Sequence, residues 1–118
     1  MLEGLLYKRL SLSGDLSAGK ASIVLLDDSE IYKAHFPGFP VTPGVCIVGM
    51  AVELASALSG RKLSLAEAKD IKFVTPIFPK GETVVDYELA LDGEVLKATA
   101  SVGGELCAKM TITLREDA

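Results

Sequence analysis

The segment that most constrains the fold runs from residue 45 to residue 58, which is apolar on nearly every face when drawn as a helix. Thr42 is a good N-cap residue, Pro43 suits the first helical position and Gly60 suits the end, so we predict one helix between them. A helix that is apolar all round must be surrounded by other structure. The rest of the chain therefore has to cover it.

Most of the remaining chain has the pattern of β-strands. In the last third, apolar and polar residues alternate, and Asp92-Gly93 forms a favourable hairpin turn. That alternation predicts an antiparallel sheet with one buried face. With the weaker signals included, we predict strands over residues 4–12, 20–26, 71–75, 84–91, 96–102 and 106–114, a turn over residues 13–19 and a linker over residues 63–70.

The predicted fold class is therefore α+β, with a single domain over residues 1–118. Two strands precede the helix and four follow it. The antiparallel sheet must curl around the helix, because nothing else in the chain can cover it. A single layer of sheet leaves one side of so apolar a helix uncovered, and we expect a dimer to cover that side.

Composition and charge exclude several classes of function. A formal net charge of −4 argues against a nucleic-acid binder, since phosphates require a basic surface. No apolar run approaches the roughly 18 residues of a membrane span, and the N-terminus lacks the pattern of a signal peptide, so we expect a cytoplasmic protein. Cys46 and Cys107 are too few for a disulfide framework and lack metal-ligand spacing. We predict two reduced core thiols and no metal site.

The main candidate for chemistry is His35, the only histidine, in a loop stiffened by neighbouring prolines. Gly44 follows in the first helical turn, where amide N–H groups have no partner within the helix. Without a side chain there, a ligand carbonyl can approach those amides and the positive end of the helix dipole. A base beside such a helix end suits proton abstraction next to a thioester carbonyl. The alternative is a purely structural histidine.

The sequence around His35 is closely similar to a known signature. Residues 35–40 are HFPGFP, and Pro43-Gly44-Val45 follows after two residues, which resembles the HFPGxPxxPGV motif of the hot-dog-fold 3-hydroxyacyl-acyl carrier protein dehydratases (FabZ-like). Residues 71–82 are also similar to a strand, Pro, Val-x-Pro-Gly-Asp stretch of that family. In its brevity the chain resembles the small dehydratases of aryl-polyene and flexirubin-type pigment pathways.

The resemblance implies both a fold and a reaction. The hot-dog fold wraps an antiparallel sheet around one long central helix and forms dimers with the sites at the subunit interface. The family removes water from a 3-hydroxyacyl group held on the phosphopantetheine of acyl carrier protein, giving a trans-2-enoyl thioester with no metal or redox cofactor. The implied roles are His35 acting at the α-carbon, the Gly44 amide holding the carbonyl, and Val45, Phe36 and Gly49 lying against the substrate.

The chain departs from the family at the second catalytic group. The family has a helix glutamate, supplied by the partner subunit, fourteen residues after the histidine, and this chain has Gly49 there. Glu53 lies one turn further, about 6 Å along the axis and rotated by about 40°, on a stripe with Cys46, Gly49 and Ser56. We predict that Glu53 replaces the missing acid, with room beside Gly49 to lean back toward the site. The alternative is that Glu53 forms only a buried pair or a hydrogen bond to the loop, while His35 works alone or with water.

Three functions stay open at this point. The first is a dehydratase of 3-hydroxyacyl groups on acyl carrier protein. The second is an acyl thioesterase, which would need an acid placed to activate water and does not explain the loop of residues 35–40. The third is a non-catalytic hot-dog subunit that binds acyl-carrier thioesters or supports an active partner, since Gly49 replaces the acid. We rank them in that order.

Overall fold

The computed structural model describes residues 2–34 and 41–117, and its main feature is one six-stranded antiparallel sheet. The elements in chain order are β1 (Tyr7–Asp15), β2 (Ala18–Leu25), α1 (Glu30–Ala34), α2 (Gly44–Ser59), β3 (Leu63–Phe73), β4 (Val84–Asp92), β5 (Val95–Val102) and β6 (Glu105–Glu116). The strand order is β1-β2-β4-β5-β6-β3, with β1 and β3 at the two edges. The segment from β2 through α2 carries the chain to the opposite edge, and the connection from β3 to β4 brings it back.

The core lies between one face of the sheet and α2. Along β4, Val85, Tyr87 and Leu89 are buried while the residues between them are exposed, as the alternation predicts. The Tyr87 hydroxyl donates a buried hydrogen bond of 2.8 Å to the carbonyl oxygen of Ile47 on α2. This bond satisfies a hydroxyl that would otherwise be costly in an apolar core. The prediction of an antiparallel sheet around one long helix is confirmed.

The two ends of α2 differ in how well the sequence predicts them. Pro43 is the N-cap residue rather than the first helical residue, and no side chain caps the helix. Thr42, the predicted N-cap, instead lies 2.8 Å from the hydroxyl of Tyr32 on α1. Gly60 ends the helix as predicted, with a φ of 70° and its amide donating to the carbonyl of Ser56. Within the described residues, no helix is both long enough and apolar enough to cross a membrane.

The sequence pattern misassigns several strand boundaries. The predicted turn over residues 13–19 is shorter, because β1 continues to Asp15 and β2 begins at Ala18. The predicted linker over residues 63–70 is in fact most of β3. The register between β3 and β6 shifts twice, so the inward-facing positions of β3 do not follow a strict alternation. The short α1 is a further element that the pattern does not predict.

The start of α2 and the outer edge of β3 are left uncovered within the described chain, whereas Val48 and Val52, further along the same side of the helix, are only 5% and 8% exposed. Val45 on α2 is 79% exposed, and Leu65, Phe73 and Val74 on or beside β3 are also exposed. β3 pairs only with β6 among the described strands, so its other edge presents unpaired backbone groups. The sequence predicts a whole helix side left uncovered, and that prediction is wrong, because among the apolar residues of α2 only Val45 and Ala57 are exposed.

Candidate functional site

The loop that carries His35 is described at its two ends only, because His35 and Phe36 lie outside the described residues. The hydroxyls of Tyr32 and Thr42, on either side of that loop, are 2.8 Å apart and buried. The Thr42 amide also donates a 2.8 Å hydrogen bond to the carbonyl of Ile77. The two ends of the loop are thus tied to each other and to the body of the domain.

The start of α2 follows this loop in the sequence, after residues 41–43. Cys46 and Ile47 donate their amides to the carbonyl of Pro43, whereas those of Gly44 and Val45 have no acceptor within residues 2–34 and 41–117. These two N–H groups sit at the positive end of the helix dipole. A space of about 340 Å³ adjoins Gly44, and its other lining residues include Thr42, Ile47, Phe73, Thr75 and Ile77. The arrangement can accept the partial negative charge of a carbonyl oxygen.

Gly44 is also a point of close packing with β3. A Cβ atom added to Gly44 would lie 2.6 Å from Cζ of Phe73, closer than real Cβ contacts allow. The aromatic ring therefore uses the space that the missing side chain leaves. The space expected to admit a ligand carbonyl is therefore partly filled by the Phe73 ring.

Val45, Gly49 and Glu53, the other predicted site residues on α2, line a second groove of about 600 Å³ between the helix and the start of β3. Ser56 lines it too, so three of the four stripe residues face this groove. Cys46, the fourth, is buried in the core instead. Burial raises the pKa of the Cys46 thiol, which keeps it protonated and fits the predicted role of a small core residue.

The Glu53 carboxylate is held by the N-terminal segment. It accepts hydrogen bonds from the amides of Leu2 at 2.7 Å and Glu3 at 3.1 Å, and from the Tyr7 hydroxyl at 3.0 Å. Burial, followed by the charge of Glu53, raises the pKa of Tyr7 well above its usual range, so this hydroxyl remains a donor. These contacts are a structural use of the acid, as in the alternative left open by the sequence, but they go to the N-terminal segment and not to the loop. Its catalytic role stays a prediction.

The room beside Gly49 is not available to Glu53. A Cβ atom added to Gly49 would lie 2.9 Å from Cδ1 of Leu2, so the Leu2 side chain fills the place where a longer residue would project. The expectation that Glu53 leans back over Gly49 is therefore wrong. The carboxylate instead faces the turn of residues 2–7.

Sequence reasoning missed several residues around the site. Tyr32 and Thr42 had signals only for local structure, and Phe73 was one apolar residue in a strand. Leu2 and Tyr7 reach Glu53 across sequence separations of 51 and 46 residues, which no local pattern encodes. The one available signal was a lone acid on an apolar helix, since such a group requires partners when buried.

A protein-family model identifies the family of this chain. Residues 15–110 match the family model described as ApeI-like, ApeI dehydratase. The chain belongs to the ApeI-like dehydratase family. This assignment confirms the resemblance drawn from the loop signature, and a dehydratase is the enzyme class that it indicates.

Curated relatives of this chain are also named as dehydratases. The chain is 28% identical over 96 residues to the 3-hydroxyacyl-[acyl-carrier-protein] dehydratase FabZ of Lactococcus lactis subsp. cremoris, covering 73% of this chain and 67% of that one. It is 27% identical over 122 residues to the FabZ of Streptococcus suis, covering 92% and 87%. Sequence similarity thus extends over most of the dehydratase chain in the second case.

Solved structures confirm the hot-dog fold. The dehydratase heterocomplex ApeI:P from Xenorhabdus doucetiae superposes with a TM-score of 0.80 at 17% identity, covering 92% of this chain and 96% of that one. A hypothetical thioesterase with coenzyme A from Streptococcus pneumoniae gives a TM-score of 0.65 at 10% identity, covering 95% and 86%. Dehydratases and a thioesterase therefore share this fold, and the fold alone does not separate them.

Proposed function

We propose that the chain removes water from 3-hydroxyacyl thioesters carried on acyl carrier protein and forms trans-2-enoyl thioesters. The curated relatives are named for this reaction, and the chain belongs to a dehydratase family. The structural observation that supports it most directly is the start of α2. There, the amides of Gly44 and Val45 lack acceptors in the described chain and closely follow the loop with His35.

In the proposed reaction, His35 removes the proton from the α-carbon, and the electron pair moves onto the thioester carbonyl oxygen. The amides of Gly44 and Val45 donate to that oxygen, and the helix dipole stabilises its charge. Removing one such donor typically costs about 10²–10³-fold in rate. The electron pair then returns to form the double bond, the C–O bond at the β-carbon breaks, and the hydroxyl leaves as water after gaining a proton.

We assign the final proton to the His35 imidazolium, which has just received one from the α-carbon. Glu53 is the other candidate donor, and its oxygens are engaged by Leu2, Glu3 and Tyr7. A single histidine that removes and returns a proton balances the reaction, so neither a metal nor a redox cofactor is required. The expected substrate-binding residues remain Gly44, Val45, Phe36 and Gly49.

We infer that a second copy of the chain packs against the start of α2 and the edge of β3, so that the groove of Gly49 and Glu53 lies at the contact between the two copies. The exposed apolar residues Val45, Leu65 and Phe73 suit burial, and the free β3 edge suits pairing with another strand. The ApeI:P structure from Xenorhabdus is described as a heterocomplex, so a different chain of the same fold is the competing partner.

Val45→Asp tests the dimer. A charge placed in the contact would raise the dimer dissociation constant by roughly 100-fold or more, because an unpaired buried charge costs about 3–5 kcal/mol. Leu10→Asp is the matched control, since Leu10 lies on β1 and is 53% exposed. Light scattering should show a dimer for the wild type and Leu10→Asp and a monomer for Val45→Asp. A wild type that is monomeric alone and dimeric with another hot-dog chain would favour the heteromer.

A mass-spectrometric assay tests the reaction itself. The purified chain is incubated with 3-hydroxyacyl-acyl carrier protein, and the mass of the carrier is followed. Loss of one water supports the proposal, and His35→Ala should then abolish the change. Loss of the acyl group would assign a thioesterase instead.

The second candidate function is a non-catalytic subunit that binds acyl-carrier thioesters. It is favoured by one observation, the absence of an acid at Gly49, where Leu2 is seated instead. In the same assay this function predicts an unchanged carrier mass with the chain alone. Water loss that starts only when a second hot-dog chain is added would support it.

A further inference from the structure

The groove beside α2 shares no lining residue with the space at Gly44, but it starts at the next residue of the helix. Val45, which lines one part of it, directly follows Gly44, whose amide is proposed to hold the thioester carbonyl. Much of the rest of the lining is apolar, namely Leu2, Val48, Val52, Leu63 and Leu65. An acyl chain is the apolar part of the proposed substrate, and an apolar groove that begins at its carbonyl fits that chemistry.

The Leu2 side chain crosses this groove beside Gly49. The contact is close, since a Cβ atom at Gly49 would come within 2.9 Å of Cδ1 of Leu2. Gly49 lies four residues beyond Val45, which is about 6 Å along the helix axis. An acyl chain whose carbonyl is held by the Gly44 amide, and which runs along α2, would therefore meet the Leu2 side chain after a short distance.

The position of Leu2 is fixed by the turn of residues 2–7. The carbonyl of Leu2 accepts hydrogen bonds from the amides of Leu5 and Leu6 at 3.0 and 2.7 Å. The Leu2 amide donates to Glu53 at 2.7 Å, and the buried Tyr7 hydroxyl donates to the same carboxylate. Hydrogen bonds to a charged acceptor are stronger than neutral ones. Glu53 thus holds the turn, and through it the Leu2 side chain, against the helix.

We propose that Leu2 determines which acyl chain lengths the enzyme accepts, and that Glu53 is the positioning residue that holds Leu2 across the groove. This inference rests on the proposed dehydratase function. It assigns a preference for short 3-hydroxyacyl chains, since a longer chain would have to displace Leu2. It also gives the acid on α2 a role in selectivity rather than in proton transfer.

Leu2→Ala tests the first half of the proposal. Dehydration is measured with 3-hydroxybutanoyl and 3-hydroxydodecanoyl groups on the same carrier protein, and the ratio of kcat/KM for the long over the short substrate is compared. We expect the ratio to rise at least about 10-fold, because one methylene in an apolar pocket discriminates by about 10–200-fold. An unchanged ratio in a folded Leu2→Ala protein would overturn the proposal.

Two control variants separate this effect from general loosening of the turn. Leu2→Met conserves the volume of the side chain and should keep the wild-type ratio. Leu5→Ala shortens a neighbouring leucine that is 48% exposed and does not line the groove, so it should also keep the ratio. A shift in Leu5→Ala equal to that in Leu2→Ala would show that the turn as a whole matters and would contradict the assignment to Leu2.

Glu53→Ala and Tyr7→Phe test the positioning half. Releasing the turn should move the ratio in the same direction as Leu2→Ala, more in Glu53→Ala than in Tyr7→Phe, because the latter removes one of the hydrogen bonds and leaves both amides bound. Equal loss of kcat at both chain lengths, with no change in the ratio, would contradict it. The thermal midpoint of each variant establishes that it is folded.

The wild-type result keeps the two proposals apart. No water loss with any chain length would overturn the dehydratase function, and the inference about Leu2 would fall with it. Water loss with equal efficiency at both chain lengths, unaltered in Leu2→Ala, would overturn the inference alone and leave the dehydratase standing.

Discussion

The hydroxyl of Tyr32 lies 2.8 Å from Oγ1 of Thr42 inside the core, and this contact joins the two ends of the loop that carries His35. Because Thr42 immediately precedes Pro43 and the start of α2, the same bond links the loop to the amides of Gly44 and Val45. Fixing the ends of this loop would lower the entropic cost of the proposed reaction.

Tyr32→Phe should therefore reduce both stability and turnover. The Thr42 hydroxyl would be left buried without its partner, which costs about 1–3 kcal/mol in the free energy of unfolding. Urea denaturation measures that loss, and the dehydration assay measures turnover. Tyr32→Phe combined with Thr42→Val replaces both polar partners and should recover stability. Recovery of turnover as well would show that the bond serves stability alone.

Gly44→Ala should separate stability from activity. The added methyl group would displace the Phe73 ring, whose end lies 2.6 Å from the Cβ position, but Phe73 is exposed and can swing away. Alanine also favours the helix by up to about 1 kcal/mol. We expect the free energy of unfolding to change by less than about 1 kcal/mol while kcat/KM falls by up to roughly 100-fold through misplacement of the carbonyl. Unchanged kcat/KM would argue against a carbonyl site at these amides.

Glu53→Gln distinguishes proton transfer from anchoring. With a short-chain substrate, we expect turnover to fall by less than about 10-fold, short of the roughly 10²–10⁴-fold contribution of a general acid or base. The control is Glu3→Gln, because Glu3 is exposed and pairs only with Arg9, at 3.6 Å, among its described side-chain contacts. A loss above about 10²-fold in Glu53→Gln, with Glu3→Gln unaffected, would restore the catalytic role predicted from the helix stripe.

The stability of the fold should fall as the pH rises above about 10. Burial raises the pKa of Tyr87 above its ordinary value of 10.0, and Tyr7 shifts the same way. Above pH 10 the unfolded chain loses these protons while the folded chain keeps them, so unfolding is favoured by about 1.4 kcal/mol per pH unit and group. Below that pH the contribution is fully present. Urea denaturation from pH 8 to 12 should show a shallower decline in Tyr87→Phe than in the wild type, and parallel curves would contradict this.

The parts of the fold that the sequence predicts are those with a local cause. β4, β5 and most of β6 follow the alternation, and Gly60 ends α2 because it adopts the left-handed conformation. The start of β6 departs from it, since Leu106 is exposed and Cys107 and Ala108 are both buried. The sequence pattern does not predict the full length of β3. Two register shifts interrupt its pairing with β6, and its middle carries charged residues that are typical of an edge strand. The prediction that Thr42 caps α2 is wrong because its hydroxyl contacts the hydroxyl of Tyr32 instead of the helix end.

The candidate site also has features that the sequence predicts and features that it does not. A linear signature marks the loop of residues 35–40 and Gly44, and a helix stripe marks the acid at Glu53. The partners of Glu53 come from the other end of the chain, and the contact of Gly44 with Phe73 depends on how β3 crosses the start of α2. Such contacts follow from topology, which periodicity does not encode.

The contact between Leu2 and Gly49 couples the choice of residue at two positions. A side chain at residue 49 would come within 2.9 Å of Cδ1 of Leu2, so the end of the leucine would have to turn aside to make room for it. Among homologous chains, a large apolar residue at the position of Leu2 should therefore accompany glycine at the position of Gly49. Where an acid stands at that helix position, we expect the N-terminal segment to be small, displaced or absent, so the two positions should covary.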